Sequence, residues 1–490
     1  MMRAPTIIAI TGLMVALTCA TPHVDAQCLP EWITELGDPG NADGYVQPMT
    51  PWDDGTGEAL FAGGSFSIVG GIRAESVARY DPDTKRWSAL GAGLASGFVT
   101  VITPFDDGGG EKLFVGGFFA NAAGLPGTSA IAAWDGRNWS SVGGGTSGSV
   151  WAIEPSDFDG DLRLYVAGGY DSIGGVTAGG IAVWDGKNFA PVGTGVGIAG
   201  TFSPFANGIL DFDDGNGPAL YIVGRFASVD GVPSEMVSKW DGNVWSRIGN
   251  GLAAPNSLRS LESITVFDDG NGAALYVGGT PIRINGLPGE HSVAKWGGTE
   301  WTPVGQNVGG RVTRLIGWND GSGMKLYLSG TATPDINYFA RLEGDRWVPV
   351  DGGVAGPAIP PSQWPSVFGL SMWGKDLLIG GNFTRVGSDL LPSNGMVMRT
   401  SCESRCTGKE RLTLRGCRDL GNGKVKYKAK VKRGAAQQAL TLRVNDDPGT
   451  DTLVVLNRKG KGKAKFRGVP AGRQSVEILE CGVTKVYDCP

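Results

Sequence analysis

The sequence predicts an all-β protein, a large region of repeated short strands followed by a smaller β domain of opposite charge. Three observations carry this expectation. A run close to Leu-aromatic-Val-Gly-Gly returns seven times between Leu60 and Gly381. Asp-Gly pairs separate the apolar runs, and glycine accepts the positive φ that tight hairpin turns require. No stretch of the region carries the 3.6-residue apolar period of a long helix. The 490 residues include 81 glycines, yet 15 tryptophans and 41% hydrophobic residues leave enough apolar surface for a large core.

Taken in order, residues 1–26 read as a secretory signal. Arg3 gives a positive start, Ile7 to Leu17 is apolar, and Val24-Asp25-Ala26 offers a small-residue cleavage site. The apolar run is shorter than the roughly twenty residues a spanning helix needs. The mature chain is therefore expected to be secreted, periplasmic or cell-surface, with no transmembrane segment. It keeps Cys28, Cys402, Cys406, Cys417, Cys481 and Cys489, and in an oxidising compartment these read as disulfides whose connectivity the sequence leaves open. Paired Cys-x-x-Cys motifs are missing and His291 is the one mature histidine, so no metal site and no cofactor are expected.

Residues 27–401 hold the repeats. The leucines that open the glycine motif stand at 60, 113, 164, 220, 275, 326 and 377, a period of 51 to 56 residues. Such a period fits a four-stranded sheet repeated around a ring. Each unit begins with a run such as Val99 to Phe105, turns at Asp-Asp-Gly and continues through Leu113-Phe-Val. A strand such as Ala130 to Trp134 follows, then an Asp-Gly turn and Trp139 to Val142. The aromatic pairs that close the units (Tyr80 and Trp87, Trp134 and Trp139, Trp184 and Phe189, Trp240 and Trp245, Trp296 and Trp301) are expected to pack sheet on sheet. The seventh unit lacks its last strand, and Trp32-Ile-Thr-Glu-Leu-Gly37 matches what is missing, which predicts that the N-terminus completes it. Cys28 would then lie close to Cys402 or Cys406, and a bridge there would replace the absent turn.

Gly63-Gly64 followed by Tyr80 and Trp87, six residues between them, resembles a kelch repeat, although later units are shortened to four residues between the aromatics. The resemblance covers roughly residues 30 to 400. It implies a seven-bladed β-propeller of the kelch-like, galactose-oxidase type, closed here by the N-terminal strand, and it implies no particular activity, because propellers host many. Copper chemistry of the galactose-oxidase kind is not expected, since its histidine ligands are missing. His291 is expected in an exposed loop. The Asp-Asp-Gly segments (Asp106 and Asp107, Asp213 and Asp214, Asp268 and Asp269) read as turns, because they lack the alternating spacing of calcium loops.

Residues 402–490 differ in charge, with 20 Lys and Arg against 9 Asp and Glu, where the preceding chain has 23 against 39. Lys424, Lys426, Lys428, Lys430 and Lys432 alternate with Val425, Tyr427, Ala429 and Val431, so one strand face is cationic and the other apolar. With runs at 440–444, 452–456 and 475–479, and a turn at Gly460 and Gly462, a small antiparallel β-sandwich is expected. Its lysines are either a solvated face that deters edge pairing or a surface for attachment to an anionic cell-surface polymer.

Function is expected on the loops at one end of the ring. Trp151, Phe202, Phe205 and Trp364 are the candidate ligand-binding aromatics, for an extracellular glycan or protein partner. The expectation is an exported, monomeric, non-enzymatic binding or structural protein that does not bind nucleic acid. The alternative is an extracellular polysaccharide hydrolase or lyase using Asp171, Asp230, Glu235 or Glu262.

Overall fold

The computed structural model describes residues 30–401 except 35, 37–41, 198–202, 254–258, 285, 332 and 357–364. Beyond these it describes 411–421, 424–432, 439–445, 447–455, 461–470, 472–478 and 483–489. Phe202, Trp364, Cys28, Cys402, Cys406 and Cys481 lie outside the described residues. The chain divides into two compact units, Pro30–Arg405 and a second that contains Cys406–Pro490. Both are built of antiparallel strands. Among the described residues the helical content is one 3-10 turn, Pro334–Ile336, and no helix is long and apolar enough to cross a membrane.

Every repeat is built of four antiparallel strands, referred to as its sheet; Leu252–Ala253 adds a short strand to the fifth, and the sixth and seventh are joined edge to edge through Thr331 and Ser366. In the second, Phe98–Asp106 pairs with Glu111–Phe118, which pairs with Ile131–Trp134 and then Trp139–Ser141. The first strands of the seven sheets are Tyr45–Asp53, Phe98–Asp106, Ser149–Ser156, Phe205–Asp213, Leu261–Asp268, Arg311–Asn319 and Ser366–Trp373. The seventh sheet takes its fourth strand from the N-terminus: Trp32 pairs with Arg399 and Ile33 with Met398. Glu31 and Thr400 exchange backbone and hydroxyl hydrogen bonds just beyond that pair.

Apolar clusters join each sheet to the next, and one of them joins the seventh to the first through Leu378 and Met396 against Val46, Met49 and Leu60. Burying residues of this size against a neighbouring sheet, at roughly 25 cal/mol per Å² of apolar area, is the main term holding the unit together. The aromatic pairs serve this packing. Their residues stand directly opposite on adjacent strands, with ring centroids 5.2 Å apart for Trp134 and Trp139 and 4.7 Å for Trp184 and Phe189. The fourth-strand indoles also donate to the preceding sheet: Trp139 Nε1 to Leu90 O at 2.9 Å, Trp245 Nε1 to Val192 O at 3.2 Å, and Trp347 Nε1 to Val304 O at 3.2 Å. Trp87 does the same to Leu36 O at 2.6 Å, so the N-terminal segment stands to the first sheet as each sheet stands to its successor. A second series repeats across the seventh and first sheets, because Trp373 Nε1 donates to Glu58 as Trp52 Nε1 donates to Glu111.

The Asp-Asp-Gly segments are turns with their oxygens already committed. The first aspartate accepts two backbone N–H groups, as Asp213 does from Gly215 and Gly217. The second pairs with a basic residue of its own sheet, on the third strand for Asp54 with Arg79 (2.8 Å) and Asp214 with Lys239 (2.9 Å), and on the second strand for Asp107 with Lys112 (2.8 Å).

In the second unit, Arg411–Gly421, Lys424–Lys432 and Gly462–Pro470 form one sheet, and Asp447–Val455, Ala439–Val444, Gly472–Ile478 and Val483–Cys489 form another. Cys417 and Cys489 lie on strands of the two sheets. Gly462 begins a strand, so the turn expected at Gly460 and Gly462 ends earlier than its glycines suggest. His291 likewise opens the strand His291–Trp296 and is half-buried, because the glycine-rich loop stops one residue before it.

Candidate functional site

The glycine motif positions the site. In each first strand the ladder to its neighbour slips, leaving one residue unpaired: Thr100, Trp151, Asn207, Glu262, Thr313 and Phe368 in sheets two to seven. In the first sheet the slip spans Gln47 and Pro48. Such a bulge re-aims a side chain out of the pleat. It also presses the strand against its partner, and the second glycine of the motif is where they meet. A Cβ on Gly64, Gly117, Gly224 or Gly381 would stand 2.1 or 2.2 Å from a carbonyl oxygen of the first strand. The first glycine admits the next sheet, since a Cβ on Gly63 or Gly116 would stand 2.6 Å from Val99 or Val150. The repeating motif thus holds open the position that does not repeat.

Six of the unpaired residues, Gln47, Trp151, Asn207, Glu262, Thr313 and Phe368, line one cavity of about 290 Å³, together with Tyr45, Phe98, Phe205, Arg311 and Arg314. Its wall has two characters. Tyr45 packs on Phe368 (5.1 Å between centroids), and Phe98, Trp151 and Phe205 follow one another at 6.1 and 6.3 Å. Phe118, 56% exposed, extends this aromatic arc beside Phe98, and the Arg225 guanidinium lies 4.4 Å over Phe205. The other part is polar. Glu262 accepts from Arg311 at 3.2 Å and from Ser260 Oγ at 3.2 Å, and Arg314 donates to the Thr313 carbonyl at 2.9 Å. Asn207 Nδ2 is fixed on Leu261 O and the Thr313 hydroxyl on Val367 O, carbonyls of the following sheets. Burial raises the Glu262 carboxyl above its ordinary range although Arg311 and Ser260 oppose the rise, and burial lowers the Arg314 guanidinium. A larger cavity of about 510 Å³ adjoins, sharing Tyr45 and Phe368 and lined also by Asp43, Glu75, Ser76 and Asn382.

Of the aromatics singled out in the sequence, Trp151 and Phe205 therefore meet in one cavity, on strands rather than on loops. Glu262 is the single carboxylate lining it among the described residues. Asp171, Asp230 and Glu235 are exposed elsewhere, and Asp230 accepts the backbone N–H and hydroxyl of Thr194. Tyr45, Phe98, Phe118, Phe368, Arg311 and Arg314 were not foreseen. Their signal was present in the alignment of first strands. Apolar residues recur at Val46, Val99, Val150, Ala206, Leu261, Val312 and Val367, and again three residues later, while the residue following the first of them changes in chemistry from sheet to sheet. Lys428, Lys430 and Lys432 are exposed on their strand, and Lys424 and Lys426 occupy the same alternating positions.

No known family profile and no curated protein matches this chain. Solved structures with some likeness include BBS1N in complex with ARL6DN, with 10% identity, a TM-score of 0.26, and coverage of 65% of this chain and 91% of that one. An exo-beta-1,3-galactanase from Clostridium thermocellum shares 10% identity at a TM-score of 0.23, covering 88% and 96% of the two chains. Drosophila Semaphorin 2a shares 8% at 0.26, covering 93% and 97%. Likenesses this distant say nothing about what the chain binds.

Proposed function

We propose that this is an exported, non-enzymatic glycan-binding protein that holds a saccharide in the cavity lined by Trp151, Phe205 and Glu262. In this reading residues 27–401 form a seven-bladed, kelch-like β-propeller closed by the N-terminal strand, with the cavity at the mouth of its central channel. A basic β-sandwich follows, aiding attachment to an anionic surface. The observation that carries the binding role is the division of the cavity wall into an aromatic arc and a hydrogen-bonding arc. Sugar rings have one apolar face and a rim of hydroxyls, and such a wall meets both. The adjoining cavity beyond Tyr45 and Phe368 gives a longer saccharide room to continue.

The hydrolase reading asks for two carboxylates flanking the scissile bond, and among the carboxylates of the described residues Glu262 alone lines the cavity, already paired with Arg311. Screening the mature protein on a glycan array, then titrating the best ligand against Trp151→Ala and Phe205→Ala, tests the proposal. A loss of at least about tenfold in affinity is expected, comparable to removing a central aromatic anchor. Unchanged affinity in both variants, or capture of a protein partner with no glycan bound, overturns it. Ring closure has its own readout. Non-reducing peptide mapping is expected to join Cys28 to Cys402 or Cys406, and a bridge from Cys28 to Cys481 or Cys489 contradicts this covalent closure.

A further inference from the structure

The lysines of Lys424–Lys432 belong to a two-dimensional array. Their strand is interior to its sheet, hydrogen-bonded to Arg411–Gly421 on one side and to Gly462–Pro470 on the other. Guarding an open edge, the usual structural use of strand lysines, therefore does not account for them. The register instead sets like charge against like: Lys428 stands opposite Lys465 and Lys430 opposite Lys463, while Arg415 and Arg411 face Lys428 and Lys432 from the other neighbour. Lys428, Lys430, Lys432, Lys463 and Lys465 are exposed, and the residues alternating with them, Ala429, Val431, Ala464 and Phe466, are buried. Directly opposed like charges destabilise a sheet. Among the described residues no carboxylate forms an ion pair with these five lysines.

We propose that this face binds a linear acidic polysaccharide, whose charges relieve the repulsion that the sheet carries alone. The inference rests on the attachment reading above and names its partner. Ammonium groups on alternate residues repeat about every 7 Å along a strand, and neighbouring strands lie about 4.8 Å apart, so the array answers a ligand with charge repeated along its length. A single phosphate or carboxylate would satisfy one or two lysines and leave the others opposed. Between the described exposed lysines no aromatic or aliphatic side chain is exposed, since Ala429, Val431 and Ala464 are buried. Stacking of unpaired bases and insertion into a bilayer both need such side chains. An extended anionic sugar chain needs neither.

The test uses the full mature protein with polygalacturonate and heparin as probes, uncharged dextran as control, and duplex DNA and anionic phosphatidylglycerol vesicles as competing arms. Three variants carry it: K428Q/K430Q, K463Q/K465Q and the quadruple substitution. The expected result is binding to both acidic polysaccharides and not to dextran, weakened to a similar extent by either pair. In the quadruple variant the slope of log affinity against log salt should flatten by about 3, near 0.7 to 0.9 per lost charge. Its Tm should hold or rise, because the opposed charges are gone; a purely structural array predicts no change in binding. Unchanged polysaccharide affinity in the quadruple variant overturns the proposal. Tighter binding to vesicles or duplex DNA than to either polysaccharide also overturns it, while leaving attachment to an anionic surface standing. No binding to any polyanion removes both. Trp151→Ala should keep full polyanion binding, which separates this face from the cavity.

Discussion

The two ends of the first strands treat polar residues in opposite ways. At the turn end, the same chemistry recurs from sheet to sheet and is consumed within the sheet. Asp54, Asp214, Asp269 and Asp320 each lie against an Arg or Lys of their own third strand, at 2.5 to 3.2 Å, and Tyr276 and Tyr327 add a hydroxyl to two of them. At the bulge end, two or three residues into the strand, the side chain is glutamine, threonine, tryptophan, asparagine, glutamate, threonine or phenylalanine, and six of these seven open onto one cavity. Repetition therefore marks where the fold satisfies itself. Function is to be sought where one position is held fixed in geometry and left free in identity.

The largest expected effect falls on the element that joins the two ends. Gly117→Ala places a methyl 2.2 Å from the Phe98 carbonyl oxygen, so the bulge must flatten or the strands part. A loss of about 3 kcal/mol in chemical unfolding is expected, at the upper end of overpacking. Gly297→Ala is the control, because its Cβ would meet only the Glu300 carbonyl at 3.9 Å; a change within about 0.5 kcal/mol is expected there. Equal effects at the two glycines would break the link between the motif and the bulge.

At the turn end, Asp214→Asn should cost about 2 kcal/mol, because Lys239 and the Trp296 indole lose a charged acceptor in a nearly buried site. Lys239 and Trp296, with Tyr221 and Asn216, outweigh burial and hold the Asp214 carboxyl down at about 2. Its folded value is thus depressed, so its contribution is present above the ordinary 3.8 and is lost as pH falls towards 2. The variant should therefore differ most from the parent above pH 4 and converge with it in acid. A constant difference down to pH 2 would show that the pair is not what stabilises the turn.

How far these two ends were readable in the sequence follows from their physics. Turn and packing chemistry is local or periodic: Asp-Gly fixes a backbone conformation, and aromatic pairs at constant spacing fix a sheet contact, so both appear in one dimension. Trp32 was readable for the same reason, as a copy displaced to the other terminus. The cavity was half legible. Trp151 and Phe205 stood out as unusual aromatics, whereas Arg311, Arg314 and Phe98 gain meaning only once six bulges, some fifty residues apart in sequence, open onto one cavity. The lysine array was legible along one strand and hidden across two, because Lys463 and Lys465 face Lys430 and Lys428 through a register that no local pattern announces.

Between the two ends lies Glu154, and it sharpens the contrast, because it is a polar residue that neither end satisfies. Burial pushes its carboxyl from 4.5 up to about 8, and the neighbouring charge of Asp211 adds to the rise; Asp211 is itself engaged by the Ser156 hydroxyl at 2.9 Å. A raised carboxyl costs the folded state nothing while it is protonated in both states. Ionisation therefore erodes stability progressively from pH 4.5 to pH 8, and the full penalty stands above that. Glu154→Gln should leave stability unchanged below pH 4.5 and gain on the order of 1–2 kcal/mol above pH 8, allowing for solvent access to the half-buried side chain. A gain that is the same at pH 4 and pH 9 would mean that the carboxylate is not the source.

The smallest effect on stability, and the sharpest on the comparison, is expected at Phe118. Its ring is 56% exposed, so Phe118→Ser removes little buried area and should move the unfolding midpoint by less than about 0.5 kcal/mol. Serine is also what the first sheet carries at the corresponding place, Ser65 opposite Tyr45, so the backbone there accepts it. An aromatic of this size left in solvent beside Phe98 (5.9 Å between centroids) has its use outside the fold. The variant should weaken saccharide binding several-fold, a smaller loss than Trp151→Ala because Phe118 stands at the rim of the aromatic arc rather than within it. Titration of both variants with one ligand reads the ranking directly. If Phe118→Ser destabilises the protein while binding is untouched, the aromatic arc is packing like the paired tryptophans, and the bulge end differs from the turn end in sequence alone.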